Sequence, residues 1–538
     1  MSRNEFIGHV FFQPRQIAYV LSCLLVLAGV GVPLLAQIRT PAAPAEQPNP
    51  RDNEPVLTTG SSLAEFALVP ISEFGLFRYD PASTAYVPIP FQIDERIEKL
   101  FNEGTAFEFT QLIYDVFGED DGLLDANDEL AFMFRDAGVR APSQVPWPDD
   151  AGNFRYEIRA EDSRPGISNP SRWVYLFRGP SLERSGENYV SWNRAPDGSV
   201  ATPSFELDYL DRWLLTGYRV FPPCGDGADL LDRVKGRAQP LPETFEDEEG
   251  WNTNSTFLGG ILGPIRALRY VRGATSGVNT IHYDAVYKSF WQRIVTLRVH
   301  PLSRIWLYFD WLPRPQTTLF TPANRDGLTI DGIPDPEAGT SFLTWNVMTG
   351  DGGGLAVAFF VPDSPLYQTK EAYLQDDAGY DDSIPTNPSY GDDDDSLYGA
   401  HGIALTNLKD STTDGIELRL RVYPLCEGEG DARFGDAVED LQEHPIRTET
   451  IPEWLGAAPV RTLALRRRGA DVVLSWEAVS ESESYRIYGA DRPDTPRSSW
   501  DRLGETENLE YVDQGAANSL VPRYYSVVGL KGGNEGAW

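Results

Sequence analysis

Cysteine is nearly absent, with three residues in 538. Cys23 lies within an N-terminal apolar run, so Cys224 and Cys426 are the remaining pair. Neither has a CxxC neighbour, which removes the usual zinc, haem and dithiol-redox arrangements. In an oxidising compartment two cysteines are most simply one disulfide, and two unpaired thiols are the alternative. Both follow similar apolar strand endings, Tyr218–Cys224 and Arg421–Cys426, and both precede acidic, glycine-containing loops. Adjacent strand ends are therefore expected, bridged across about 200 residues.

Positive charge is scarce as well. Forty-six basic residues face 80 acidic ones for a net charge of −34. Such a field repels a phosphate backbone and excludes nucleic acid as a partner. Only Lys99, Lys235, Lys288, Lys370, Lys409 and Lys531 are lysines, and histidines number five. Also missing, in any productive context, are GxGxxG, GxxxxGK[ST], HExxH and GxSxG, which sets aside the commonest nucleotide, zincin and serine-hydrolase sites.

One long uncharged run is present. Ile17 to Ala36 follows Arg3 and Arg15 and precedes a Pro/Ala-rich stretch. It reads as an export signal (1–36), cleaved after Ala36 or Ala45, or as an uncleaved anchor, since about 20 apolar residues span a bilayer. The lipoprotein reading of Cys23 fails because the apolar run continues a dozen residues past it. Export, with a periplasmic, cell-surface or secreted location, is the expectation; any membrane contact would be through that segment.

What is abundant is material for cores: 41% hydrophobic and 12% aromatic residues over a length suggesting two or three domains. After a linker at 37–57, the chain to 455 is strand-like. Phe154/Tyr156/Ile158, Val295/Leu297/Val299 and Ile416/Leu418/Leu420/Val422 alternate with polar residues, while Trp173–Phe177 and Leu355–Val361 are apolar on both faces. Helical pattern is confined to Arg96–Asn102 and Ala437–Gln442. The expected fold class is all-β: a large β-sandwich-type region at 58–455, with a break near 180–200, then a small sandwich at 460–538.

In that last segment Leu463/Leu465, Val472/Leu474/Trp476, Tyr485/Ile487 and Tyr525/Val527 form short alternating runs divided by turns. On Leu-Ser-Trp at 474–476, Tyr-Arg-Ile-Tyr at 485–488, Tyr-Val-Asp at 511–513, Tyr-Tyr-Ser-Val at 524–527 and Asn-Glu-Gly at 534–536 it resembles a bacterial fibronectin type III module. The resemblance implies a spacer or binding platform on an extracellular protein, rather than a catalytic unit.

Val87-Pro-Ile-Pro-Phe-Gln-Ile-Asp94, with Asp-Glu-Leu at 128–130, is similar to the entrance of exported β-rich domains encoded beside bacterial polysaccharide-utilisation systems. Gly263-Pro-Ile-Arg266 is similar to a segment of β-supersandwich domains in some carbohydrate-active proteins. These resemblances imply glycan association and carry over no catalytic residue.

Three acidic segments could hold a cation. Gly118–Leu130 places Glu119, Asp121, Asp125 and Asp128 at positions three, five, nine and twelve of a calcium loop, although its position one is Phe117. The bland reading is an acidic turn before a strand. The others are Asp376–Asp395 and Asn324–Asp335. For catalysis, the candidates are Arg266, His282 and Tyr283, an acid–base set of the kind lyases and hydrolases use; each residue type is equally at home as ordinary packing or surface. Trp251, Trp311, Trp345, Tyr380, Tyr390 and Tyr398 could stack sugars or simply fill cores.

The reading that joins these features is an exported modular binding or structural accessory protein, contacting polysaccharide or a cell-surface protein, with calcium as its one candidate cofactor. A carbohydrate-active enzyme sited in the middle region is the alternative. A cell-envelope structural protein without a small ligand is the second.

Overall fold

The short alternating apolar runs become short antiparallel strands. The computed structural model describes residues 50–538 apart from 242–243, 274, 278, 313, 315, 336–341, 380–397, 427–429, 456, 458–459, 480–481, 494, 496–498, 533 and 537–538. The proposed signal, most of the linker, Tyr380, Tyr390 and the aspartates from Asp381 to Asp395 lie outside the described residues. About 49% strand against 9% helix makes the chain all-β. No described helix is long and apolar enough to cross a membrane.

The centre is built from two sheets. Among the described residues the larger has nine strands, in the spatial order Thr256–Leu262, Arg266–Arg272, Ile281–Tyr287, Trp291–Leu297, Ile416–Leu425, Gly353–Phe360, Trp345–Gly350, Thr318–Phe320 and Leu328–Thr329. The facing sheet orders Thr244–Glu246, Leu231–Leu241, Leu302–Trp311, Ala400–Leu408 and Thr369–Gln375. One continuous apolar core, from Leu268 and Trp291 to Ile403 and Leu405, lies between them. The strand at Gly353–Phe360 is buried through its first seven residues, as its unbroken apolar sequence requires.

A second five-stranded sheet orders Arg447–Trp454, Phe154–Glu161, Ser171–Arg178, Phe74–Asp80 and Ala85–Pro88. Here chain order and space part company. Strand Arg447–Trp454 follows the last strand of the nine-stranded sheet in sequence, yet pairs with Phe154–Glu161 over its whole length. The interruption near 180–200 is therefore a change of sheet, while residues 49–538 hold together as one compact unit.

From Ala464 onward the strands form a three-stranded sheet (Ala464–Arg468, Asp471–Ser475, Glu510–Asp513) and a four-stranded one (Asp501–Thr506, Ser484–Ala490, Tyr524–Lys531, Asn534–Glu535). Leu474, Trp476, Tyr485, Ile487 and Val527 fill the space between them. Leu465 departs from its expected inward position and stands exposed, its strand lying at the sheet edge.

One expected helix is overturned. Arg96–Phe101 is a strand, in register with Phe109–Tyr114 from Arg96↔Tyr114 to Phe101↔Phe109. Phe101 stacks on Phe109, and that cross-strand pairing overrides local helix propensity. The other expected helix is present and longer, Ala432–Glu443, with Asp431 accepting from the N–H groups of Arg433 and Phe434 as its N-cap.

Cys224 and Cys426 are joined as a disulfide, with sulfurs 2.02 Å apart. The bridge ties the loop after strand Leu214–Val220 to the end of strand Ile416–Leu425.

Candidate functional site

The three short motifs converge on one buried ionic cluster. Antiparallel pairing puts Gln92–Asp94 beside Glu129–Met133, so Asp94 and Glu129 stand directly opposite each other. Arg266, at the start of its strand, reaches both. Its Nε and Nη2 donate to Asp94 Oδ2 at 3.0 and 2.6 Å, Nη2 donates to Glu129 Oε1 at 2.7 Å, and Nη1 donates to Tyr287 Oη at 2.9 Å. Tyr114 Oη donates to the same Glu129 oxygen at 2.7 Å. Gln92 completes the cluster: its Nε2 donates to Asp94, and its Oε1 accepts from the backbone N–H groups of Ile265 and Arg266. A Cβ on Gly263 would stand 2.2 Å from the Gln92 side chain, so the Gly-Pro-Ile-Arg turn needs glycine there. Burial works to raise the Glu129 carboxyl, but Arg266 and the Tyr114 hydroxyl outweigh it and hold it below its usual range.

Sheet geometry separates the three catalytic candidates. On antiparallel neighbours, directly opposed residues share a face. Arg266 opposes Tyr287 and Tyr270 opposes Tyr283, so Arg266 and Tyr283 lie on one face. His282 opposes Val271 and lies on the other. Tyr283 stacks on Tyr270 at 4.7 Å, and Arg266 is saturated by its carboxylate partners. The trio does not form a single site. The period of two that makes these residues neighbours in sequence is what divides them in space.

His282 faces the inter-sheet core. On its face of the sheet, Arg293 donates through Nε and Nη2 to Asp284 at 2.7 and 2.8 Å, and Tyr209 Oη donates to Asp284 at 2.8 Å. Arg269 lies over the Tyr209 ring. Burial, reinforced by Arg293, pushes the His282 imidazole down to about 3 and keeps it neutral. It lines a largely apolar cavity of about 80 Å³ between the two central sheets.

The acidic loop gathers carboxylates, though not the set its spacing predicts. Asp120, Asp125 and Asp128 bring oxygens within 4.8 Å of one another, and Glu95, Asp120 and Asp121 do the same. Glu119 points elsewhere, 2.5 Å from Lys99 Nζ. Gly118 and Gly122 adopt left-handed conformations on either side of Asp120, which belongs to both groups. Glu95 is held at the loop by the Gly122 N–H, at 2.6 Å. It lay beyond sequence reasoning because strand pairing brings it there from outside the loop. Asp128 is fully buried, accepting from the N–H groups of Arg96 and Asp125, and burial raises its carboxyl to about 6. Hard oxygens at this density suit calcium. In the other two acidic segments, Asp376 accepts from the Gly332 N–H, so they abut.

The three candidate tryptophans fill cores instead of offering stacking platforms. Trp311 and Trp345 are fully buried and Trp251 is nearly so. Tyr398 packs half-buried against the main core. A shallow polar groove instead crosses the outer face of the central five-stranded sheet, lined by Gln239, Arg304, Gln368, Glu371, Thr406 and Asn407.

Compared with known proteins, the sequence matches no protein-family model and none of the curated proteins. Among solved structures it has a likeness to an alpha-mannosidase from Enterococcus faecalis V583 at 7% identity and a TM-score of 0.40. That match covers 85% of this chain and 54% of the mannosidase.

Proposed function

We propose that this chain is an exported binding or structural accessory protein of the cell surface or secretome, stabilised by calcium and bearing a C-terminal fibronectin type III-like module. The observation that carries the reading is the use made of the motif residues. Gln92, Asp94, Glu129 and Arg266 hold one sheet against another in a buried, mutually bonded cluster, of which Gln92 and Asp94 also stand in the wall of a pocket of about 270 Å³ beside Phe91 and Gly263. The three-plus-four strand order after Ala464 supports the fibronectin-like module.

Polysaccharide is the ligand class favoured by the groove on the outer sheet face. Its amide, hydroxyl and guanidinium groups match the hydroxyl-rich edge of a glycan, and its shallow form suits an extended chain. A glycan-array screen of the purified protein tests this. Binding is expected to one class of polysaccharide and to weaken about tenfold, near 1.4 kcal/mol, in Arg304→Ala. Binding unaffected by that substitution would move the ligand to another surface.

A further inference from the structure

The cavity between the two central sheets combines an aliphatic wall with a small polar patch. Val295 and Leu297 of one sheet face Leu307 and Leu405 of the other. Trp213 anchors the patch, with the His282 ring 6.1 Å and the Arg293 guanidinium 5.6 Å from its ring. His282 Nε2 and Arg293 Nη1 have no hydrogen-bond partner, although their residues are only 6% and 2% exposed. Leaving a buried polar atom unsatisfied costs about 1–3 kcal/mol, so two in one wall indicate a missing partner.

Water is a poor candidate for that partner. The cavity offers roughly five to eight water-sized volumes, and each buried water needs two to four polar contacts. Glu246, Ser276 and Thr280 of the lining are already engaged. Glu246 accepts from Ser276 and from Trp251 Nε1, and Thr280 Oγ1 donates to the Arg298 carbonyl. A molecule that meets both atoms with one head, His282 taking the tautomer protonated at Nε2, and fills the remaining space with carbon fits better.

The charges around the patch select the head group. Asp284 neutralises Arg293, while Arg269 donates to the carbonyls of Pro196 and Arg212, with Tyr209 beneath it. Glu246, also in the lining, is capped by its own donors. Burial is the first cause of the neutral His282; Arg293 and Arg269 add to it and Asp284 opposes them, so these three groups leave one net positive charge beside the patch. We propose that this cavity binds a small monocarboxylate with an apolar body of about six carbons, its carboxylate accepting from Arg293 Nη1 and His282 Nε2. This site is independent of the polar groove and of any polysaccharide it takes.

The test is titration of the full-length protein with sodium hexanoate, followed by calorimetry and tryptophan fluorescence, with hexan-1-ol as the neutral comparator. Hexanoate is expected to bind with a Kd below about 1 mM and the alcohol about tenfold more weakly. His282→Leu is expected to weaken hexanoate about tenfold, His282→Gln to retain most of the affinity, and Leu405→Trp to abolish binding by filling the space. Circular dichroism establishes that each variant is folded, and Val295→Phe replaces Leu405→Trp if that protein does not fold. No response to about 10 mM hexanoate, equal affinity for the alcohol, or binding that survives the filled cavity in a folded variant would each overturn the proposal.

Discussion

Arg266 shows how a residue suited to catalysis becomes structural. A guanidinium beside two carboxylates in an open cleft would be an electrophilic site, but here all three are buried and bonded to one another. Breaking such a set is costly because the remaining charges are stranded. Arg266→Met is expected to lower the unfolding free energy by about 3–5 kcal/mol in urea titration, against less than about 0.5 kcal/mol for the exposed Arg502→Met. The buried histidines set an acid limit. His282 and His401 are both held near 3, below the ordinary value of 6.5, by burial. The unfolded chain takes up their protons first, so their neutral-state stability is complete above pH 6.5 and is lost as pH falls toward 3. Each adds up to about 1.4 kcal/mol per pH unit in that window, and His401→Gln is expected to flatten the measured slope by up to one proton.

At the level of elements, close contacts override propensity. Gly435 sits in the helix Ala432–Glu443, where alanine would ordinarily stabilise by about 1 kcal/mol. An added Cβ there would lie 2.2 Å from the Trp345 ring. Gly435→Ala is therefore expected to destabilise, by about 1–3 kcal/mol of overpacking, as a lowered thermal midpoint. The acidic loop gives an element-scale test of calcium. Calcium at about 100 times its Kd adds about 2.7 kcal/mol to a fold that binds it. Asp120→Asn is expected to remove most of the calcium-dependent rise in midpoint, and Glu119→Gln little, because Glu119 pairs with Lys99 instead. A midpoint that does not change with calcium or EDTA would refute the site.

Across the whole molecule, distant parts of the chain are fastened at a few points. Glu54 accepts from Arg421 and Tyr423, at 2.9 and 2.8 Å, joining the N-terminal segment to the nine-stranded sheet. Arg266 makes a second such fastening, and Arg461 pairs with Glu65 beside the C-terminal module. The Cys224–Cys426 bridge closes 202 residues of chain. Its removal by Cys426→Ser with Cys224→Ser is expected to cost about 2–5 kcal/mol, and non-reducing peptide mapping should recover the two cysteines in one linked fragment. Free thiols at both positions would remove it.

The all-β class was legible in the chain because period-two alternation is a local property of each strand. The core strands at Gly353–Phe360 and Ile416–Leu425, and the second half of the helix Ala432–Glu443, could be read for the same reason: their signals lie within a few consecutive residues. The sites could not. Whether Arg266 meets His282 depends on which face of a sheet each occupies, and Glu95 joins Asp120 only through strand pairing. The short motifs were visible as words, but their meaning as one cluster required Asp94, Glu129 and Arg266 to meet across more than 100 residues. Local pattern therefore determined what the strands are. Register, and the low dielectric created when sheets close over charged side chains, decided what those side chains do.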